Sequence, residues 1–228
     1  MVSASQENRL ATRVWRSLLR LGFRLLYNEL AFTYDVVSAV VSLGQWSAWQ
    51  RVALPHLNAR PGDPVLELAH GTGRLAIDLR RAGYRLAALD LSRAMGRIAR
   101  RRLKRWGWRP SLVRARAQTL PFPAGHFAAA VSTFPDEFIA DPLTLGEIFR
   151  VLAPGGRLVI VVGGLLTGRD PAARSLELAY RATGQRGPWP VVLEARLAAA
   201  GFAARTLSET LPRSAVIVCV AEKPHSAL

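Results

Sequence analysis

The stretch Val65-Leu-Glu-Leu-Ala-His-Gly-Thr-Gly73 constrains the fold of this chain more than any other part of it. Pro64 to Leu68 is a short apolar run of strand character, and Arg74 to Arg81 carries helical spacing, so Gly71 and Gly73 fall where a strand must turn sharply into a helix. Glycine there allows backbone angles and a close ligand approach that a Cβ would block. The next apolar run, Arg85-Leu-Ala-Ala-Leu-Asp90, ends on an acid, and a carboxylate at the C-terminal end of a strand can accept both hydroxyl hydrogens of a ribose. A ligand built on adenosine is the first expectation.

The same residues also satisfy a dinucleotide fingerprint, because Gly71-x-Gly73-x-x-Ala76 is followed by Asp90 at the expected distance. Glu67, an acid inside the first strand, separates the two readings together with the later block Glu147-Ile-Phe-Arg-Val-Leu-Ala-Pro-Gly-Gly-Arg-Leu-Val-Ile160. At these positions the chain resembles class I S-adenosyl-L-methionine-dependent methyltransferases, especially the branch that includes quinone-biosynthesis enzymes. Four blocks carry the resemblance in order: Glu67 to Gly73, Leu89 to Met95, Leu120-Pro-Phe-Pro-Ala-Gly-His-Phe127, and Arg150 to Ile160.

That resemblance implies a methyltransferase whose cofactor is S-adenosyl-L-methionine, framed by Glu67, Ala69, His70, Gly71, Gly73, Asp90, Leu91, Met95, Ala117 and Gln118, with Tyr34 contributed by an N-terminal lid. The chain departs from the family pattern at three positions. Ala69 stands where glycine is usual, Arg116 stands where an acid commonly contacts the adenine amino group, and Ala128 replaces the aspartate of a Phe-Asp pair. Backbone groups and Gln118 are then the expected holders of adenine. Two rival readings are a nicotinamide-dependent oxidoreductase and a non-catalytic, membrane- or nucleic-acid-associated protein that keeps the methyltransferase fold.

From Pro64 onward, strand-like and helical runs alternate, which is the rhythm of an α/β, doubly wound, mostly parallel sheet. Helices are expected over Leu75 to Arg81, Ser92 to Trp106, Asp141 to Leu152 and Val191 to Ala200. Strands are expected over Val65 to Ala69, Arg85 to Asp90, Leu112 to Ala115, Phe127 to Thr133 and Arg157 to Val162, with Pro154-Gly155-Gly156 closing the helix before the last of these. The runs Ala203 to Leu207 and Ala215 to Ala221 read as the antiparallel terminal hairpin of a seven-stranded Rossmann-like methyltransferase sheet. The expected organisation is a basic helix and lid over residues 1–50 and a methyltransferase domain over 51–228, with an acceptor-side insert at about 163–190.

At 228 residues with half of them hydrophobic, the chain can bury a full core as one domain. Its lone cysteine, Cys219, excludes an internal disulfide framework and reads as a buried strand residue, so a cytoplasmic protein is expected. The net charge of +15 concentrates where Leu91 to Pro135 holds no acid at all. Trp106 and Trp108 interleave with the arginines there, but no nucleic-acid-binding motif accompanies them, and a solvated helix face is the favoured reading.

Arg9, Arg13, Arg16, Arg20 and Arg24 repeat at helical spacing opposite Leu10, Val14, Leu18, Leu21 and Leu25. Such a basic amphipathic helix, over residues 9–27, suits peripheral contact with an anionic membrane or cover for the core. Methyl transfer from a sulfonium needs alignment and exclusion of water rather than a covalent nucleophile. The expected partner is accordingly a small-molecule acceptor, apolar or lipid-like. His70, Asp136 and Glu137 are the candidates for a general base, and the four histidines are too dispersed for a metal site.

Overall fold

The computed structural model describes residues 31–109, 111–168, 171–182 and 189–225. Its strands are β1 (Pro64–Leu68), β2 (Arg85–Leu89), β3 (Ser111–Val113), β4 (Phe127–Thr133), β5 (Leu152–Leu166), β6 (Ala203–Leu211) and β7 (Ser214–Glu222). They form one sheet in the order β3-β2-β1-β4-β5-β7-β6. The first five run parallel, whereas β7 lies antiparallel between β5 and β6. The expected terminal hairpin is present and longer than its apolar runs suggested. The amphipathic segment at residues 9–27 lies outside the described residues.

The helices are α1 (Tyr34–Val41), α2 (Trp46–Arg51), α3 (Arg74–Arg81), α4 (Arg93–Lys104), α5 (Pro142–Val151), α6 (Pro171–Ala182) and α7 (Trp189–Ala199). Both faces of the sheet are covered, which explains why β1 reads as a nearly continuous apolar run rather than an alternating one. Its Val65 points into a layer with Trp49, Leu57, Leu75, Leu79 and Leu103, while Leu66 and Leu68 point into the opposite layer with Phe127, Ile148, Leu193 and Leu197. Cys219 is buried in β7, and burial pushes its thiol up to about 11. It is a packing residue. Helix starts follow local chemistry: the Ser92 hydroxyl accepts from the Met95 amide, and the Asp141 carboxylate accepts from Leu143 just before Pro142 opens α5.

Two boundaries correct the sequence reading. Strand β5 begins at Leu152 rather than Arg157, so Pro154-Gly155-Gly156 lies within it at a break in register, where Phe127 faces Leu152 and Ala129 faces Arg157. It also continues through Gly163 and Gly164 to Leu166, opposite Ser214 to Ile217 of β7. The segment expected as an insert from residue 163 therefore starts as sheet. Glycines that read as loop serve packing instead: a Cβ at Gly164 would lie 2.4 Å from Cδ2 of the buried Trp49.

The strand order reverses around β1, flanked by β2 on one side and β4 on the other. Ligand clefts in open parallel sheets form at such a switch, beyond the C-terminal ends of the strands. The glycine elbow sits there.

Candidate functional site

Between β1 and α3 the chain turns through Ala69 at φ +54°, Gly71 at φ +53° and Gly73 at φ +76°. Ala69 thus keeps the left-handed path of the glycine it replaces, at a cost on the order of 1 kcal/mol for its Cβ. Gly73 has a second constraint besides its angle. A Cβ there would approach the Ala99 Cβ to 2.9 Å, so the glycine lets α4 close onto the start of α3.

Asp90, at the end of β2, holds the loop from beneath. One carboxylate oxygen accepts from the Gly71 amide at 2.9 Å and the other from the Ser92 amide at 2.7 Å. Each oxygen has two lone-pair sites, so both retain capacity for a ligand hydroxyl. The His70 amide donates to the Leu89 carbonyl at 3.2 Å, stitching the loop to β2.

Glu67 is buried at 3% exposure, and among the described residues its Oε2 has no hydrogen-bond partner. Burial, followed by the negative charges of Asp90 and Asp78, raises its carboxyl well above the ordinary value of 4.5. A buried acceptor without a donor is costly and points to a group supplied from outside. His70, in the loop that follows, is also buried. Its Nδ1 lies 2.9 Å from the Gly71 carbonyl, which can only accept, so Nδ1 carries the hydrogen and Nε2 the free lone pair. Burial outweighs the opposing pull of Asp90 and lowers the imidazole below its usual value, which favours the neutral ring.

The other expected residues spread around this centre. Met95 is buried on α4, Ala117 is buried beside the half-buried Gln118, and Leu91 stands at the rim, 55% exposed. The Gln118 amide nitrogen donates to Asp141 at 2.8 Å, leaving its carbonyl as the end available to a ligand. Tyr34 packs edge-on to Trp46 at 6.2 Å, and Trp46 in turn lies 4.1 Å from the ring of Phe134, just past β4. Asp136 and Glu137 are exposed, and Asp136 accepts from the Phe138 amide at the start of a short 3-10 turn. They lie among helix-start contacts rather than buried beside the loop.

Asp35 is the contributor that sequence reasoning missed. Its carboxylate accepts from the Thr72 hydroxyl at 2.8 Å, from Arg74 Nε at 2.9 Å and from Arg102, which also donates to the Thr72 carbonyl. Burial pushes its carboxyl up, yet the bonds from Arg102, Arg74 and Thr72 together outweigh that and hold it below the ordinary 3.8. This latch ties α1 to the glycine loop. Its stabilisation is present above the unfolded value and is lost as pH falls through the lowered one. The available signal was an acid next to Tyr34 in an otherwise apolar run, but its partners are remote in sequence.

Comparison with known proteins agrees with this geometry. The chain matches the ubiE/COQ5 methyltransferase family over residues 22–181. It is 33% identical to a demethylmenaquinone methyltransferase of Thermus thermophilus, across 87% of this chain and the whole of that relative. A demethylmenaquinone methyltransferase of Symbiobacterium thermophilum is 34% identical over 60% of this chain, which spans 57% of that longer relative. Among solved structures, geranyl diphosphate C-methyltransferase from Streptomyces coelicolor, in complex with S-adenosyl-L-homocysteine, shares the fold with a TM-score of 0.56 at 17% identity, over 78% of this chain and 79% of that one. With the antiparallel β7 inside the sheet, these likenesses remove the oxidoreductase reading: the chain belongs to the ubiE/COQ5 methyltransferase family and is an S-adenosyl-L-methionine-dependent methyltransferase.

Proposed function

We propose that this enzyme methylates the ring of a demethylmenaquinone-type acceptor in its reduced form, with Asp90 on the cofactor ribose and Glu67 on the cofactor ammonium. The observation that carries the acceptor reading is the match to the demethylmenaquinone methyltransferase of Thermus thermophilus, which runs the full length of that relative. The site chemistry fits the cofactor. Glu67 presents a buried oxygen without a donor among the described residues, which an ammonium would satisfy, and Asp90 has lone pairs left for the ribose hydroxyls. When bound, S-adenosyl-L-methionine supplies a methyl group already activated on a sulfonium.

The protein's own residues then orient the acceptor, exclude water and accept a proton. Tyr34, Trp46 and Phe134 form an aromatic cluster suited to a flat ring, with Phe134 held at φ +51°, a strained angle for an aromatic residue. His70, neutral with Nε2 unprotonated, is the base we assign to the proton released from the ring. The direct test is incubation of the purified enzyme with S-adenosyl-L-methionine and a short-tailed demethylnaphthoquinol. The expected product is heavier by one methylene and methylated on ring carbon. No product, with cofactor binding intact, would sink the acceptor assignment.

Glu67 gives a second, independent check. As pH rises past the ordinary 4.5, the unfolded chain releases this proton before the folded one does, so the ligand-free protein loses stability up to the raised folded value. Glu67→Gln should abolish that slope and leave the ligand-free protein more stable at neutral pH. The same substitution should weaken cofactor binding by about tenfold, near 1.4 kcal/mol, and remove its strengthening with pH. Thermal unfolding and calorimetric titration across pH 5 to 8 read both effects. Equal cofactor affinity in wild type and variant would move the ammonium elsewhere.

A further inference from the structure

Helix α1 is inside out. Its polar residues face the protein: Asp35 bonds the glycine loop, Ser38 is 3% exposed, and Ser42, which caps the helix, is fully buried. Its apolar residues Val36 and Val40 face away at 64% and 62% exposure, and Phe32, in the 3-10 turn Ala31–Thr33 just before the helix, extends the stripe at 74%. Val37 widens the stripe. A surface helix in water normally carries the opposite arrangement, so this face lacks an apolar partner within the described residues.

Its neighbours extend the pattern. The Tyr180 hydroxyl donates to the Val41 carbonyl at 2.8 Å, fixing α6 beside the end of α1, and α6 exposes Leu178. Just ahead of α1, residues Ala31–Thr33 pack against α4. That helix turns Arg93, Arg97, Arg100, Arg101 and Lys104 to solvent on its outer face, and none of them forms an ion pair among the described residues. An apolar stripe continued from a turn that packs against this arginine-bearing helix complements an anionic lipid surface. No described helix is long and apolar enough to cross a membrane. The stripe is also joined to the cofactor loop through Asp35, Thr72 and Arg74, so whatever it contacts lies next to the site.

We infer that the outward face of α1, together with the arginines of α4, docks peripherally on an anionic bilayer and brings the site to a membrane-resident acceptor. The second clause rests on the acceptor reading above; the docking does not. Insertion of Phe32, Val36 and Val40 supplies the apolar term, and the arginines attract the headgroups.

The test is co-sedimentation of the full-length chain with vesicles of phosphatidylglycerol and phosphatidylcholine, and with phosphatidylcholine alone. Binding is expected to the anionic vesicles, to weaken with salt, and to fall roughly tenfold or more in the double variant Val36→Asp/Val40→Asp. A similar loss is expected for Arg97→Glu/Arg101→Glu. The valine variant should keep its affinity for S-adenosylhomocysteine and its melting temperature, since both side chains face water. Wild-type binding by the valine variant overturns the proposal. So does a vesicle-free dimer that the variant abolishes, because a second copy then covers the face. A melting temperature lowered as for a core substitution also overturns it, because residues of the same chain then cover the stripe. If vesicles are bound through α1 but the soluble quinol is not methylated, the acceptor reading falls and the docking stands.

Discussion

Asp90→Ala is expected to weaken S-adenosyl-L-methionine binding by about 3 kcal/mol, on the order of 150-fold. The proposed ribose contact accounts for only part of this. Asp90 accepts from the amides of Gly71 and Ser92 at once, so the alanine variant also leaves two backbone donors without their acceptor at the loop proposed to receive the cofactor. Loss of the ligand contact and loss of loop order act on the same equilibrium and should not be separable by this variant alone. Asp90→Asn separates them: its carbonyl can keep one amide bond, whereas its NH2 cannot replace the second acceptor. Its affinity should fall between the two. Titration with S-adenosylhomocysteine, which carries the same ribose, measures the effect without turnover. An unchanged affinity in Asp90→Ala would show that the ribose is held by other residues.

The part of this site that the sequence made legible is the part built from neighbours. Gly71, Gly73 and Asp90 could be read because a strand, a turn and a second strand follow one another within a short span, and hydrophobic period marks each. Ala69 could be seen to break the glycine pattern, but its accommodation at φ +54° is a property of the folded loop and has no signature in the residue itself. Asp35 was illegible for a different reason. Its worth comes from Arg102, 67 positions away, and an acid near many arginines does not announce which one it meets.

The same distinction governs the fold. The parallel strands and their helices followed from periodicity, whereas the true start of β5 did not. A helix ending in Pro154-Gly155-Gly156 looks like helix, turn and strand, yet Leu152 already pairs with Phe127, and the glycines take up the change of register. Its far end was hidden by Gly163 and Gly164, which resemble a loop until Trp49 is seen lying against Gly164. Turn-forming residues report permitted backbone angles and close approach; only the tertiary partner decides which of these a given glycine serves.

That partner gives the largest expected effect on stability. Trp49 joins α2 to the β5 and β7 pair: it is 2% exposed, its indole N–H donates to the Ser214 hydroxyl at 2.8 Å, and its ring occupies the space a Cβ on Gly164 would need. Ser214 in turn donates to Gln45, so the indole is the interior end of a short buried network. Trp49→Ala removes the ring and leaves a cavity that rigid strands on one side cannot fill, at a cost of about 3 to 5 kcal/mol. For a chain of this size that lowers the melting temperature by roughly 6 to 20 °C. Trp49→Phe keeps most of the packing and loses the hydrogen bond, for about 1 to 2 kcal/mol. Chemical denaturation of the two variants distinguishes the contributions, and a loss below about 1 kcal/mol in the alanine variant would contradict the placement of Trp49 in the core. Because the Trp49 ring also neighbours the aromatic pair of Trp46, which opens α2, and Phe134, the alanine variant should also impair methyl transfer before it unfolds, through displacement of the surface on which the acceptor ring is proposed to lie.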